Sequence, residues 1–328
     1  MYRRTFLAGT AALFAAPAVA APMKTVTDDA GRQVTVPVDP RRIVSLYEAL
    51  HTIPALELGL PVVGSFGRAD DGGSLMRVDF LRDVLGRDGR AEGIVGTGPL
   101  GGLDLEKVRA LQPDLILASE LNVQMLGQLE KIAPTYVLHT RATQTSGFES
   151  QEKLARLTGR DARLAELHAA YQRRLIEVRE RIIAAGRKDP RHATAMMVMV
   201  RDDIGVLRDL TGGMQALRDL GYGRLDWSKS GSEDAFGDGW RTPLSAEEFP
   251  RLNPDLMIAI DGFVGPENPR AYLSERLDGI SPGWQRFMAP AQQDRMIFLS
   301  SSKIATTTVA SAMHMLDAIA NWAEGGMP

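Results

Sequence analysis

The chain has no cysteine among its 328 residues. That excludes disulfides, thiolate metal sites and a cysteine nucleophile together. Aromatic residues are scarce at 6%, and the net charge is only −3. So small an imbalance, on the acidic side, argues against nucleic acid or an anionic membrane as partner. Past residue 20 no apolar run approaches the roughly 20 residues that cross a bilayer. Neither G-x-S-x-G nor H-E-x-x-H occurs, so two common hydrolase signatures are missing. The histidines are His51, His139, His168, His192 and His314, none paired at metal-ligand spacing. A metal-ion site would have to gather distant residues such as His51, His139 and Asp261.

Two motifs that are present do not carry the chemistry they suggest. Gly96-Thr97-Gly98-Pro99-Leu100-Gly101 fits G-x-G-x-x-G, but its proline removes one of the N–H donors that a pyrophosphate needs. Ser300-Ser301-Ser302-Lys303 fits S-x-x-K. It follows a strand near the C-terminus and lacks the S-D-N and K-T-G companions of the serine acyl-enzymes. No enzyme is expected.

The 44% apolar and 24% charged fractions are those of an ordinary globular protein, long enough for two domains. Residues 1–20 read as a signal peptide: Arg3-Arg4 before Thr5-Phe6-Leu7, an apolar run, then Ala18-Val19-Ala20. The adjacent arginines mark the twin-arginine type, used by proteins exported already folded. The mature chain is expected to start near Ala21 as a soluble periplasmic protein. With no cysteine at the cleavage site, no lipid anchor is expected.

Between Gly159 and Gly186 there is neither glycine nor proline. Leu164, Leu167, Tyr171, Leu175, Val178 and Ile182 recur at steps of three and four, one stripe of a helix about 40 Å long. Arg173, Glu177 and Arg181 add i,i+4 pairs. On either side lies a related block: LDLEKVRALQPDLILAS over 103–119 and LSAEEFPRLNPDLMIAI over 244–260. They align without a gap, Glu106 on Glu247 and Pro113-Asp114-Leu115 on Pro254-Asp255-Leu256. Each copy predicts a short helix, a proline stop and a buried strand. The fold class that follows is α/β: two similar α/β lobes with parallel sheets joined by one long rigid helix. The lobes are 21–158 and 188–328, and 159–187 is the linking helix. The stretch 221–243, rich in Gly, Ser and Asp, reads as a loop.

The opening TDDAGRQVTVP…RIVSL, the LDLEKVRALQPDLILAS block and the central helix together resemble the periplasmic substrate-binding proteins of iron-complex ABC importers, the long-helix, class III type. The twin-arginine leader, the tryptophan-bearing stretch before the second block, Pro282-Gly283-Trp284-Gln285 and Ser311-Ala312-Met313-His314 are most similar to the ferric-hydroxamate binders. The loop from Gly67 to Gly93 is longer and more basic than theirs. The resemblance implies a monomer that binds an iron(III)-siderophore complex, without a cofactor or a protein-held metal, and delivers it to an inner-membrane ABC permease. On the same fold haem or cobalamin is the alternative ligand, with Tyr47 as the haem's axial residue; a bare metal ion is a further one.

Residues at strand ends of the two lobes are the candidates for one cleft. From the first lobe these are Tyr47, Arg68, Arg77 and Asn122; from the second, Arg201, Trp227, Trp240 and Arg241. Arg77 stands where hydroxamate binders place an arginine against the chelate oxygens, with Arg68 as the other choice. The resemblance also implies that Glu106 and Glu247, one per lobe, dock on permease arginines.

Overall fold

The computed structural model describes residues 21–98, 102–140, 147–208, 211–225 and 241–326. The leader, Trp227 and Trp240 lie outside the described residues. A hairpin of β1 (Met23–Thr27) and β2 (Gln33–Pro37) opens the fold, turning at Gly31 with φ of 76°. Two sheets follow. The first holds β3 (Ile43–Ser45), β4 (Val62–Ser65), β5 (Val95–Gly96), β6 (Leu115–Ala118) and β7 (Thr135–Val137), all parallel, in the order β5-β4-β3-β6-β7. The second holds β8 (Thr194–Val200), β9 (Ile204–Leu207), β10 (Gly223–Arg224), β11 (Arg241–Leu244), β12 (Leu256–Asp261) and β13 (Met296–Leu299).

Strand periodicity explains why each sheet is covered on both faces. Along β6, Leu115 and Leu117 enter one core while Ile116 and Ala118 enter another. Along β12, Leu256, Ile258 and Ile260 point into one core, Met257 and Ala259 into the opposite one. Side chains alternate across a strand, so an unbroken apolar run feeds two layers at once.

The second sheet departs from the parallel expectation. β9 runs antiparallel to β8, and β11 antiparallel to β9. The end of the predicted 221–243 loop therefore forms an edge strand, and β9 is an element the apolar pattern had not marked.

The long helix runs Asp161–Ala184. Tyr171, Leu175, Val178 and Ile182 are buried in the core of the second sheet, while Leu164 packs against that of the first and Leu167 touches both. Glu177 pairs with Arg181 as the spacing predicts, but on its other side with Arg174 at 2.9 Å. The two related blocks also differ. The first forms the helix Leu105–Ala110, capped by Asp104; the second forms only turns and a short 3₁₀ segment, Phe249–Arg251. Pro250 stands where the first block has Arg109, and a proline inside a helix removes a hydrogen bond and clashes with the preceding turn.

Candidate functional site

A cleft of about 620 Å³ opens where the carboxyl ends of the two sheets face each other. Tyr47 follows β3, Phe66 follows β4, Glu120 follows β6 and Thr140 follows β7; Phe263 follows β12 and Ile304 lies beyond β13. Strand ends are where α/β sheets bind ligands, because the loops there are free of the sheet's packing demands. Most of the lining is apolar: Leu50, Leu75, Met76, Val78, Phe80 and Leu121 on one side, Met197, Met199, Leu207 and Ile260 on the other. Leu75 is 49% exposed and Leu121 66%.

Among the described residues four charged ones line it: Glu48, Arg77, Glu120 and Arg208. Their situations differ. Glu120 is occupied locally, accepting from the Thr140 N–H (2.9 Å) and hydroxyl (2.6 Å). Arg77 is exposed. Arg208 is exposed and donates to the Thr242 hydroxyl at 3.3 Å. The two arginines face the cleft from opposite sheets, available to acceptor oxygens of a ligand.

Glu48 is set by unusual backbone. Glu48–Thr52 is a turn of π-helix that runs into the α-helix Ile53–Glu57. Tyr47 O accepts from both His51 N–H (3.0 Å) and Thr52 N–H (3.2 Å). Pro54, which has no N–H, cannot complete an α-helical bond to Leu50, and such π turns recur at functional sites. Behind the wall Arg68 bridges two carboxylates, Glu48 at 2.9 Å and Asp79 at 2.7 Å, with its own side chain fully buried. Burial pushes the Glu48 carboxyl up to about 7, against the pull of Arg68 and with the help of Asp79. His51, also buried, is pushed down to about 4 by desolvation and is neutral at pH 7.

Phe263 adopts φ of 62°, a left-handed conformation costly for an aromatic residue. Buried Asp261 holds that loop, accepting from the N–H groups of Val264 (2.6 Å), Gly265 (3.1 Å) and Ser301 (2.7 Å). The Phe263 ring then meets Phe80 of the other wall, centroids 5.9 Å apart. Ser301 Oγ accepts from the Phe263 N–H, and Ser300, the serine of the S-x-x-K motif, has its Oγ 3.0 Å from Ser302 Oγ.

Of the residues singled out by sequence, Tyr47 and Arg77 line the cleft. Arg68 lies behind the wall in its ion pairs. Asn122 is turned back to cap its own turn, its Oδ1 accepting from the Ser119 N–H at 2.9 Å. Arg201 packs across Gly262, and Arg241 lies over Gly205 at the sheet edge, paired with Asp203. None of these four is on the cleft surface. Glu106 and Glu247 are both exposed. Sequence reasoning passed over Arg208 and Phe80 as lining groups, while Glu48 and Glu120 stand at strand ends it had marked. Asp202-Asp203 before Ile204-Gly205-Val206-Leu207 is a hairpin signal that would have led to Arg208. Among the described residues no three His, Asp or Glu side chains are grouped to hold a metal ion, and His51, His139 and Asp261 do not gather.

Residues 82–302 match the family described as periplasmic binding protein. The putative ABC transporter substrate-binding lipoprotein YhfQ of Bacillus subtilis is 27% identical over 242 residues, 72% of this chain and 70% of its own. Three solved structures share the fold. The FhuD protein from S. pseudintermedius superposes with a TM-score of 0.65 at 17% identity, over 92% of this chain and 98% of that one. Staphylococcus aureus SirA complexed with staphyloferrin B gives 0.64 at 20%, over 90% and 96%. The petrobactin-binding protein YclQ from Bacillus subtilis gives 0.64 at 17%, over 92% and 99%.

Proposed function

Because this chain belongs to the periplasmic binding protein family, whose members bind substrates for ABC importers and are not enzymes, we propose that it captures a ferric siderophore of the hydroxamate class in the cleft and delivers it to an ABC permease. The observation that carries this reading is the lining: an apolar cleft of about 620 Å³ with an arginine on each side. In a ferric siderophore the chelator fills the metal's coordination shell, so the protein meets only the outside of the complex. Apolar walls suit the ligand's organic skeleton, and Arg77 and Arg208 suit its chelate oxygens. A catecholate complex carries high negative charge and calls for more cations than the two among the described lining residues. A hydroxamate complex is nearer neutral and matches them. The names of the structural relatives, which include a staphyloferrin B complex and a petrobactin-binding protein, support the wider siderophore class.

On this reading the leader at 1–20 sends the protein to the periplasm, and Glu106 and Glu247 meet the two permease subunits. Among the described residues no helix is long and apolar enough to cross a membrane. Calorimetric titration of the protein with ferrichrome, a ferric catecholate, ferric citrate and haemin tests the ligand. Ferrichrome should bind at micromolar concentration or below. Tight binding of the catecholate, or of haemin with a Soret band, and none of ferrichrome would overturn the hydroxamate assignment.

A further inference from the structure

Resting on the siderophore reading, we infer that Glu48 is itself a ligand-binding residue, whose free oxygen hydrogen-bonds an acceptor oxygen of the bound chelate through a carboxyl proton. The side chain lines the cleft and is almost fully buried. Its Oε1 is committed to Arg68, while Oε2 has no hydrogen-bond partner among the described residues. A buried oxygen left unpaired costs more than a hydrogen bond returns, so something is missing from the site as it stands. Oε2 lies beside Gly67 and Met76: a Cβ on Gly67 would come within 3.6 Å of Oε2 and 3.3 Å of Met76 Cε, and Met76 is a lining residue.

The charge count indicates what completes the site. Arg68 carries one positive charge and is shared by two carboxylates, Glu48 and Asp79. The buried cluster is therefore negative by one unless a proton joins it. Among the described residues the other charged groups on the cleft wall are Glu120, held by Thr140, and Arg77 and Arg208, which are exposed; His51, on the same turn as Glu48, is neutral. Of the two carboxylates on Arg68, Glu48 is the more buried and has the free oxygen, so the proton belongs there. The rise of its carboxyl to about 7 agrees. The protonated acid donates to a chelate oxygen, whereas the ionised form would set an unpaired negative charge against it. Ligand capture then completes the protonation of Glu48, taking a proton from solvent in those molecules where the acid was ionised.

The sign follows. Binding is strongest below pH 7 and weakens above it, by about tenfold from pH 6 to pH 8 if only the acid form binds. Ferrichrome, a ferric catecholate and ferric citrate are titrated against the wild type and Glu48→Gln over that range. Glutamine keeps an acceptor for Arg68 and a donor for the ligand, so the variant should bind with an affinity that does not change with pH. The same slope in both proteins overturns the inference. Should a catecholate or citrate bind in place of ferrichrome, the hydroxamate reading falls and the Glu48 comparison is read on the chelate that binds. If none of the three binds the wild type, both fall. A second measurement needs no variant: calorimetry at pH 7 in buffers of different ionisation enthalpy should show uptake of about half a proton per ligand. Zero uptake overturns the proposal even if Glu48→Gln fails to fold.

Discussion

At the scale of single residues, position along the chain and position in space part company at the arginines. Arg77 is on the cleft and exposed, whereas Arg68 is walled in by Glu48 and Asp79. Arg77→Ala should weaken chelate binding by about 1–3 kcal/mol with no loss of thermal stability, the scale of a hydrogen bond to a charged donor. Unchanged affinity by calorimetry would remove Arg77 from the site. Arg68→Ala should instead destabilise the fold, since it leaves a buried carboxylate uncompensated. His51 adds a pH effect of its own. Its folded value, about 4, lies below the ordinary 6.5 because burial disfavours the charged ring. The unfolded chain therefore takes up the proton first, and the stability present above pH 6.5 is lost as pH falls towards 4. Melting curves across that window should show a smaller loss for His51→Leu than for the wild type.

Among the elements, the helix Asp161–Ala184 is the most fully encoded, because a 3.6-residue stripe and the lack of any breaker act over its whole length. Its burial is uneven. The four fully buried stripe residues belong to the second core, and only Leu164 and Leu167 reach the first. Leu175→Ala should cost about 2–5 kcal/mol of unfolding free energy in denaturant titrations. Val178→Pro should be worse, through a lost helix bond and a kink between the sheets. A proline variant that melts like the wild type would contradict that role. The second of the two related blocks shows the opposite case, where a single Pro250 cancels a helix that the pattern otherwise predicts.

For the molecule as a whole, the question is how far the two sheets move on the ligand. Besides the long helix, which Arg160 fixes to Asp39 of the first half at 3.1 Å, hydrogen bonds tie the halves directly: His314 Nε2 to Val84 O at 3.0 Å, and the Val309 N–H to Gln151 Oε1 at 3.2 Å. A strut with these cross-ties resists hinge motion, so small-angle scattering should show little change in radius of gyration on ligand binding. Glu106 and Glu247 are exposed, and Glu106 pairs with Arg109 at 3.5 Å. Charge pairs at a rim set encounter and register rather than fold. Reversal at either position, Glu106→Arg or Glu247→Arg, should abolish uptake into cells while chelate binding and melting temperature stay near wild type. Normal uptake by the double variant would rule out this docking.

What the chain determined by itself is whatever depends on local period. The long stripe, the apolar runs of β3, β6, β8 and β12 and the turn at Gly31 follow from spacings within a few residues, because helix and strand geometry repeat at that range. The two-sheet α/β plan follows from the recurrence of one such local pattern in the two related blocks. Tertiary structure alone decided which side chains share the cleft. Arg68 and Arg77 stand nine positions apart in the same loop, yet one is buried in ion pairs and the other open. Their difference rests on Glu48 and Asp79, residues 20 and 11 positions from Arg68 that meet it only after folding. Arg208 reaches the cleft because β9 folds back antiparallel on β8, a pairing between strands and not a property of either one. Long-range contact and burial have no period to read, so the chemistry of this site became visible only when the chain was folded.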